Sequence, residues 1–231
     1  MYFKVWETCK WWCTEIKKRL VIIITEPRHL TEVINTLNLR GLEYTIPNDF
    51  TKISFNENDV VYTDLFELAK LSTSVCIVLF NESNPTKSLE EAILASKGRS
   101  KYKEVAIGID PGRLFTAAAV TDGELASWLR TDNLSELVEY VNKVIESTPS
   151  VNYRIRVGCN ALGLKIAKVL KDSVKSRAVV ELVSEKHSSP SLMHRNPFVY
   201  RVVSKVKTSR RKDLYAAVNI ALRRGQVIEN G

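Results

Sequence analysis

The chain is short of the residues that support several common chemistries. It has nine glycines in 231 residues, and none is grouped into a phosphate-cradling loop after the first strand-like run, VIIIT at 21–25, so a nucleotide site in the first half is not expected. Its four cysteines (Cys9, Cys13, Cys76, Cys159) are scattered. Only Cys9 and Cys13 share a helical spacing, and no second ligand pair accompanies them, so buried thiols are favoured over zinc ligands or disulfides. No apolar run approaches the ~18 residues of a membrane span, and no charged, apolar and small-residue cleavage pattern opens the chain. The expectation is a cytoplasmic protein without membrane contact. One glutamine, Gln226, and two methionines are the depletion of labile side chains that goes with a thermophilic source. Acid is also in deficit: 26 Asp and Glu face 34 Lys and Arg, a net charge of +8. Such an excess favours a polyanionic partner, although charge alone predicts solubility as readily as function.

What is present divides into two halves. With 45% apolar residues, 231 residues fill two modest cores more comfortably than one. The polar, basic segment KGRSKYK at 97–103 marks the boundary, giving domains at 1–100 and 101–231. In the first half, VIIIT leads through Pro27 into a helical pattern (Leu30, Val33, Ile34, Leu37) that stops near Gly41. DVVYTD at 59–64, an apolar helix through Leu71, the strand VCIVLF at 75–80 and a helix from Pro85 to Gly98 follow. Strands alternating with helices predict a small parallel α/β domain with a docking or scaffolding role, including homodimerisation. Residues 5–20 predict a further helix, and Trp6, Trp11 and Trp12 read as core or subunit contacts more readily than as a base-stacking platform.

The second half has another rhythm. VAIGID, LFTAAAV at 114–120 and ELASWLR at 124–130 are separated only by Pro-Gly-Arg and Thr-Asp-Gly, which is turn chemistry, so they predict a three-strand antiparallel meander. A helix follows, capped by Asn133 or Ser135. Then come the strand YRIRVG at 153–158, a helix through Leu170, the strand AVVELV at 178–183, and a helix from Asp213 that stops at Gly225. The order predicts a ribonuclease H-like mixed sheet, a meander plus two further strands with helices packed on it, preceded by the smaller α/β domain.

Within that order four landmarks carry a family resemblance. IGIDPG at 107–112 resembles the opening strand of RuvC-type Holliday-junction resolvases and of the YqgF group of resolvase-like nucleases. RVGCN at 156–160 is similar to the fourth strand of the YqgF group, ELVSEKHSS at 181–189 to its fifth strand and following motif, and KDLYAAVNIALRRG at 212–225 to its last helix. The likeness covers residues 105–222 and leaves the first hundred residues outside it. It implies a metal-dependent nuclease acting on structured DNA or RNA, with Asp110, Glu185 and Asp213 as the acids.

The chemistry needs such a set, because Mg²⁺ or Mn²⁺ takes hard oxygen ligands and two-metal phosphodiester hydrolysis requires carboxylates converging from separate elements. Each acid also has a plainer reading. Asp110 suits a turn that bonds its own backbone amides, Asp213 suits a helix N-cap, and Glu185 suits a solvated loop, with Glu181 two pleats earlier competing for its role. The chain departs from the resemblance at three points: Asn160 stands where an acid closes the fourth strand, Ser184 where the motif opens with Asp, and Lys212 beside a lone Asp213.

Between Glu185 and Asp213 no acid occurs, whereas Lys186, Arg195, Arg201, Lys205, Lys207, Arg210, Arg211 and Lys212 are basic and Phe198 and Tyr200 are interleaved. The run reads either as a solvated face or as phosphate contacts, with the aromatics available to stack on an unpaired base and His187 near the scissile group. The leading expectation is therefore a nuclease. The alternative is a nucleic-acid-binding or assembly protein that keeps the fold without a full acid set. An actin-like or sugar-kinase-like ATPase would need a second phosphate loop and an adenosine-binding glycine pair that this half does not contain.

Overall fold

The computed structural model describes residues 18–49, 54–71, 75–184, 199, 203–204 and 211–228. The expected N-terminal helix with its tryptophans, Cys9 and Cys13 lies outside them, as do Glu185, Lys186, His187, Arg195, Phe198, Tyr200, Arg201, Lys205, Lys207 and Arg210. The chain divides into two compact units, Met1–Lys101 and Tyr102–Gly231.

In the first unit three strands, β1 (Arg19–Ile23), β2 (Asp59–Thr63) and β3 (Cys76–Leu79), form a parallel sheet in the order β1-β2-β3. Helices α1 (Pro27–Arg40), α2 (Phe66–Leu71) and α3 (Pro85–Ser96) connect or follow them. Proline opens α1 and α3, where its missing N–H costs nothing, and Gly41 ends α1 at φ 63°, the left-handed conformation that only glycine adopts freely. Leu20, Ile22, Leu37, Val60, Tyr62 and Ile93 form the core. Cys76 is half-buried.

The second unit is a six-stranded mixed sheet in the order β6-β5-β4-β7-β8-β9. Strands β4 (Tyr102–Pro111), β5 (Phe115–Thr121) and β6 (Glu124–Thr131) form the antiparallel meander. β7 (Ser150–Gly158) and β8 (Val179–Val183) run parallel to β4, and β9 (Gln226–Val227) closes the edge antiparallel to β8. This arrangement of a meander continued by two parallel strands is consistent with the ribonuclease H-like fold. The β5–β6 turn places Asp122 at φ 46° and Gly123 at φ 91°, and the Asp122 carboxylate accepts the Lys103 and Glu104 amides, which fixes a hairpin that Asp-Gly favours. β4 begins within the segment whose composition suggested a linker, because Tyr102 is fully buried and pairs with Ser150.

Among the described residues, helices α4 (Leu134–Ser147), α5 (Ala161–Val174) and α6 (Arg211–Ala221) pack on this sheet. Asn133 is the cap of α4, its side chain accepting the Ser135 amide at 2.8 Å. Ile107, Ile109, Ile155 and Val157 are fully buried, and strand alternation turns them away from α6 toward α4 and α5. The opposite face carries Ala106, Gly108 and Asp110 on β4. There α6 lies against the sheet backbone: a Cβ on Gly108 would overlap the Ala217 carbonyl oxygen and come within 2.8 Å of the Ala221 Cα. Glycine at 108 is what lets α6, with Asp213 in its first turn, approach β4.

Candidate nucleic-acid site

The α6 face of the sheet is charged in two zones. In the register, Gly108 of β4 stands opposite Arg156 of β7, and Arg156 opposite Glu181 of β8. Arg156 Nε donates to Glu181 Oε2 at 2.9 Å, and its Nη1 donates to the Ala221 carbonyl and to Glu104 Oε1. Arg154 bonds Glu181 and Glu104, and the Gly225 amide also donates to Glu181. Burial by itself would raise the Glu181 pKa, but the hydrogen bonds from Arg156 and Arg154 outweigh it and hold the carboxyl below the usual range. The network joins β4, β7 and β8 to the C-terminal end of α6. Glu181 is thus committed to two arginines. It lies in the row of Gly108, one pleat repeat behind Asp110, and not at the rim of the sheet. Two arginines at i,i+2, alternating with Ile155 and Val157 in β7, were the sequence signal for this network, since alternation puts both on one face.

The second zone lies at the carboxyl end of β4. Asp110 stands opposite Thr116 of β5, and Thr116 opposite Arg130 of β6, so the three form a row across adjacent strands. Successive strands are about 4.8 Å apart, which puts the outer two Cα atoms at roughly 10 Å. Asp213, the third residue of α6, meets this row through Arg130, with Nη2 to Oδ2 at 3.0 Å. The aspartate therefore stands inside the helix, past the N-cap position. Its side chain is 40% exposed and that of Arg130 23%. Thr116 Oγ1 and Arg130 Nε are both buried without a hydrogen-bond partner.

The rim is completed by the ends of β7 and β8. The Cys159 amide donates to the Val183 carbonyl at 2.8 Å, which sets the two strand ends side by side. Asn160 caps α5, its Oδ1 accepting the Gly163 amide at 2.8 Å while Nδ2 reaches the Pro111 carbonyl at 3.5 Å. The residue found in place of an acid thus has a helix to cap. Cys159 is exposed in this turn, contrary to the expectation of a buried thiol, because the chain leaves the sheet at Gly158. At the end of β8, Ser184 accepts Arg223 Nη1 through its carbonyl at 3.3 Å, and the chain continues into Glu185. Lys212 is exposed at the start of α6.

Asp110 and Asp213 are hard oxygen donors carried by different elements on one face, and their chemistry fits a divalent cation. Among the described residues no group of three His, Cys, Asp or Glu side chains gathers around a common point. The cationic group beside Asp213 is Arg130.

No protein-family model and no curated protein matches this chain. Among solved structures, the A. aeolicus Argonaute aligns with it at a TM-score of 0.23 and 12% identity, over 75% of this chain and 35% of that one. The match spans about a third of the Argonaute chain, and at that similarity the fold description rests on the strand order above.

Proposed function

We propose that the second unit is a metal-dependent nuclease acting on structured DNA or RNA, as the likeness of its motifs to the RuvC and YqgF groups implies. The observation that supports the reading is Asp110 at the end of β4 in a row with Thr116 and Arg130, on the face where Asp213 of α6 pairs with Arg130 at the far end of that row. Asp110, Glu185 and Asp213 would hold Mg²⁺ or Mn²⁺. The ion supplies an activated water and stabilises the leaving oxygen when bound. The chain's own part is positional. β4 is paired with β7 up to Ile109 and with β5 through Asp110 and Pro111, which anchors the Asp110 backbone, and the Gly108 contact holds α6 against the same strand. The basic residues Lys186, Arg195, Arg201, Lys205, Lys207, Arg210, Arg211 and Lys212 would neutralise the phosphates that flank the cut.

A second reading has an observation of its own. The ion pair of Asp213 with Arg130 and the capping role of Asn160 suit a protein that binds nucleic acid without cutting it. Cleavage of a four-way junction, a flap, a hairpin and a precursor-like stem–loop RNA in Mg²⁺ or Mn²⁺ separates the two. The nuclease reading expects cutting by the wild type, none by Asp110→Asn, and unchanged affinity of that variant in EDTA. Binding without cutting by the wild type on every substrate would favour the second.

A further inference from the structure

Arg130 was not singled out by its sequence context, yet it is the cation that meets Asp213. Its Cα is placed by the β5–β6 register, in the same row as Thr116 and Asp110. Its approach to the carboxylate is Nη2 to Oδ2 at 3.0 Å, and the side-on fork that arginine forms through Nε and Nη2 is not made, since Nε takes no part. Its Nε has no partner although it is buried, and neither has the neighbouring Thr116 Oγ1. A guanidinium has five N–H donors, so this one retains donors that match a phosphate oxygen. Both partners are part-exposed, 23% and 40%, so the pair is screened by water and easily exchanged.

A carboxylate paired with arginine is a poorer ligand for a divalent ion, because the ion must displace the guanidinium first. We propose that Arg130 is an exchange residue: it neutralises Asp213 while the site is empty, and passes to a phosphate oxygen of the bound strand when a divalent cation takes the carboxylate. The inference rests on the nuclease reading for the identity of the cation. It has a thermodynamic consequence that a purely structural ion pair lacks. Metal and nucleic acid should each tighten the binding of the other, and the coupling should pass through Arg130, since linkage between two ligands is reciprocal.

The test uses the full chain with Arg130→Gln and Arg130→Lys, and thermal melts show that each variant is folded. Free Mn²⁺ is measured by electron paramagnetic resonance, and affinity for a fluorescent hairpin oligonucleotide is read from initial anisotropy in EDTA and in Mn²⁺. Arg130→Gln is expected to bind Mn²⁺ about 5-fold tighter or more than wild type, the lower end of ordinary coupling. Its hairpin affinity should match wild type in EDTA and lack the gain that Mn²⁺ gives the wild type. Arg130→Lys, which keeps the charge but not the fork, should fall between. Equal Mn²⁺ affinity in wild type and Arg130→Gln, with the coupling retained, would overturn the exchange while leaving the nuclease reading intact. No Mn²⁺ binding by either protein would overturn both. Mn²⁺ binding by Arg130→Gln alone, with no Mn²⁺-dependent gain in wild-type hairpin affinity, would overturn the exchange, because the pair with Asp213 would then be a permanent block rather than one that yields to metal.

Discussion

Gly108 on β4 and Ala217 on α6 touch through their backbones, with no room for a methyl group between them. The helix that carries Asp213 is therefore seated on the strand that carries Asp110 by the absence of a side chain. Gly108→Ala is expected to push α6 off the sheet. Overpacking of this kind costs about 1–3 kcal/mol, and more where the obstructing atoms are backbone. Chemical denaturation should show the loss, and an unchanged midpoint would mean that α6 moves at no cost.

The buried pair Arg156–Glu181 gives a second expectation. Their side chains are only 7% and 4% exposed, so Arg156→Ala leaves a buried carboxylate supported by Arg154 and the Gly225 amide alone. Loss of one partner of a buried pair costs about 3–5 kcal/mol, whereas replacing both partners with apolar groups is often neutral. Arg156→Met combined with Glu181→Leu should accordingly be much less damaging than Arg156→Ala. A double variant as unstable as the sum of its singles would show that the network is needed for more than charge balance.

Acid should weaken the second unit through the same residue. Glu181 is held below its ordinary value of 4.5 when folded, so the unfolded chain binds the extra proton and stability rises with pH. The contribution is complete above the ordinary glutamate range and is lost as the pH falls through the lowered folded value. Asp59 behaves likewise in the first unit, lowered from 3.8 by its hydrogen bond from Arg19 against the opposing effect of burial. Melting temperatures of wild type and Glu181→Gln should converge as the pH falls from 6 to 3. A constant gap would remove Glu181 from the acid response.

The basic run is tested by neutralising Arg210, Arg211 and Lys212 together. Affinity for nucleic acid should fall for every sequence, and the slope of log K against log salt should flatten by up to ~0.9 per lost phosphate contact on duplex DNA. Base preference should not change. An unaltered salt slope would mean that these three side chains are a solvated surface.

Local sequence determined the elements of this protein. Short apolar runs bounded by turn residues predicted every long strand, Pro27, Gly41 and Asp122-Gly123 marked helix ends and a hairpin, and the order of these signals implied a meander and two further strands of a mixed sheet. Such features are legible because each depends on residues only a few positions apart. Asp110 could be singled out for the same reason, as an acid closing a buried strand. Tertiary structure alone decided what each charge meets. The short strand β9 has no periodicity to read and exists because β8 offers it an edge. Glu181 competed with Glu185 for a place among the metal-binding acids, and register across β7 gave it to Arg156 and Arg154. Arg130 looked like the last residue of a strand, and α6, arriving from the far end of the chain, set Asp213 beside it. A carboxylate's function depends on which cation reaches it, and that follows from sheet register and from the backbone approach at Gly108, which no stretch of neighbouring residues contains.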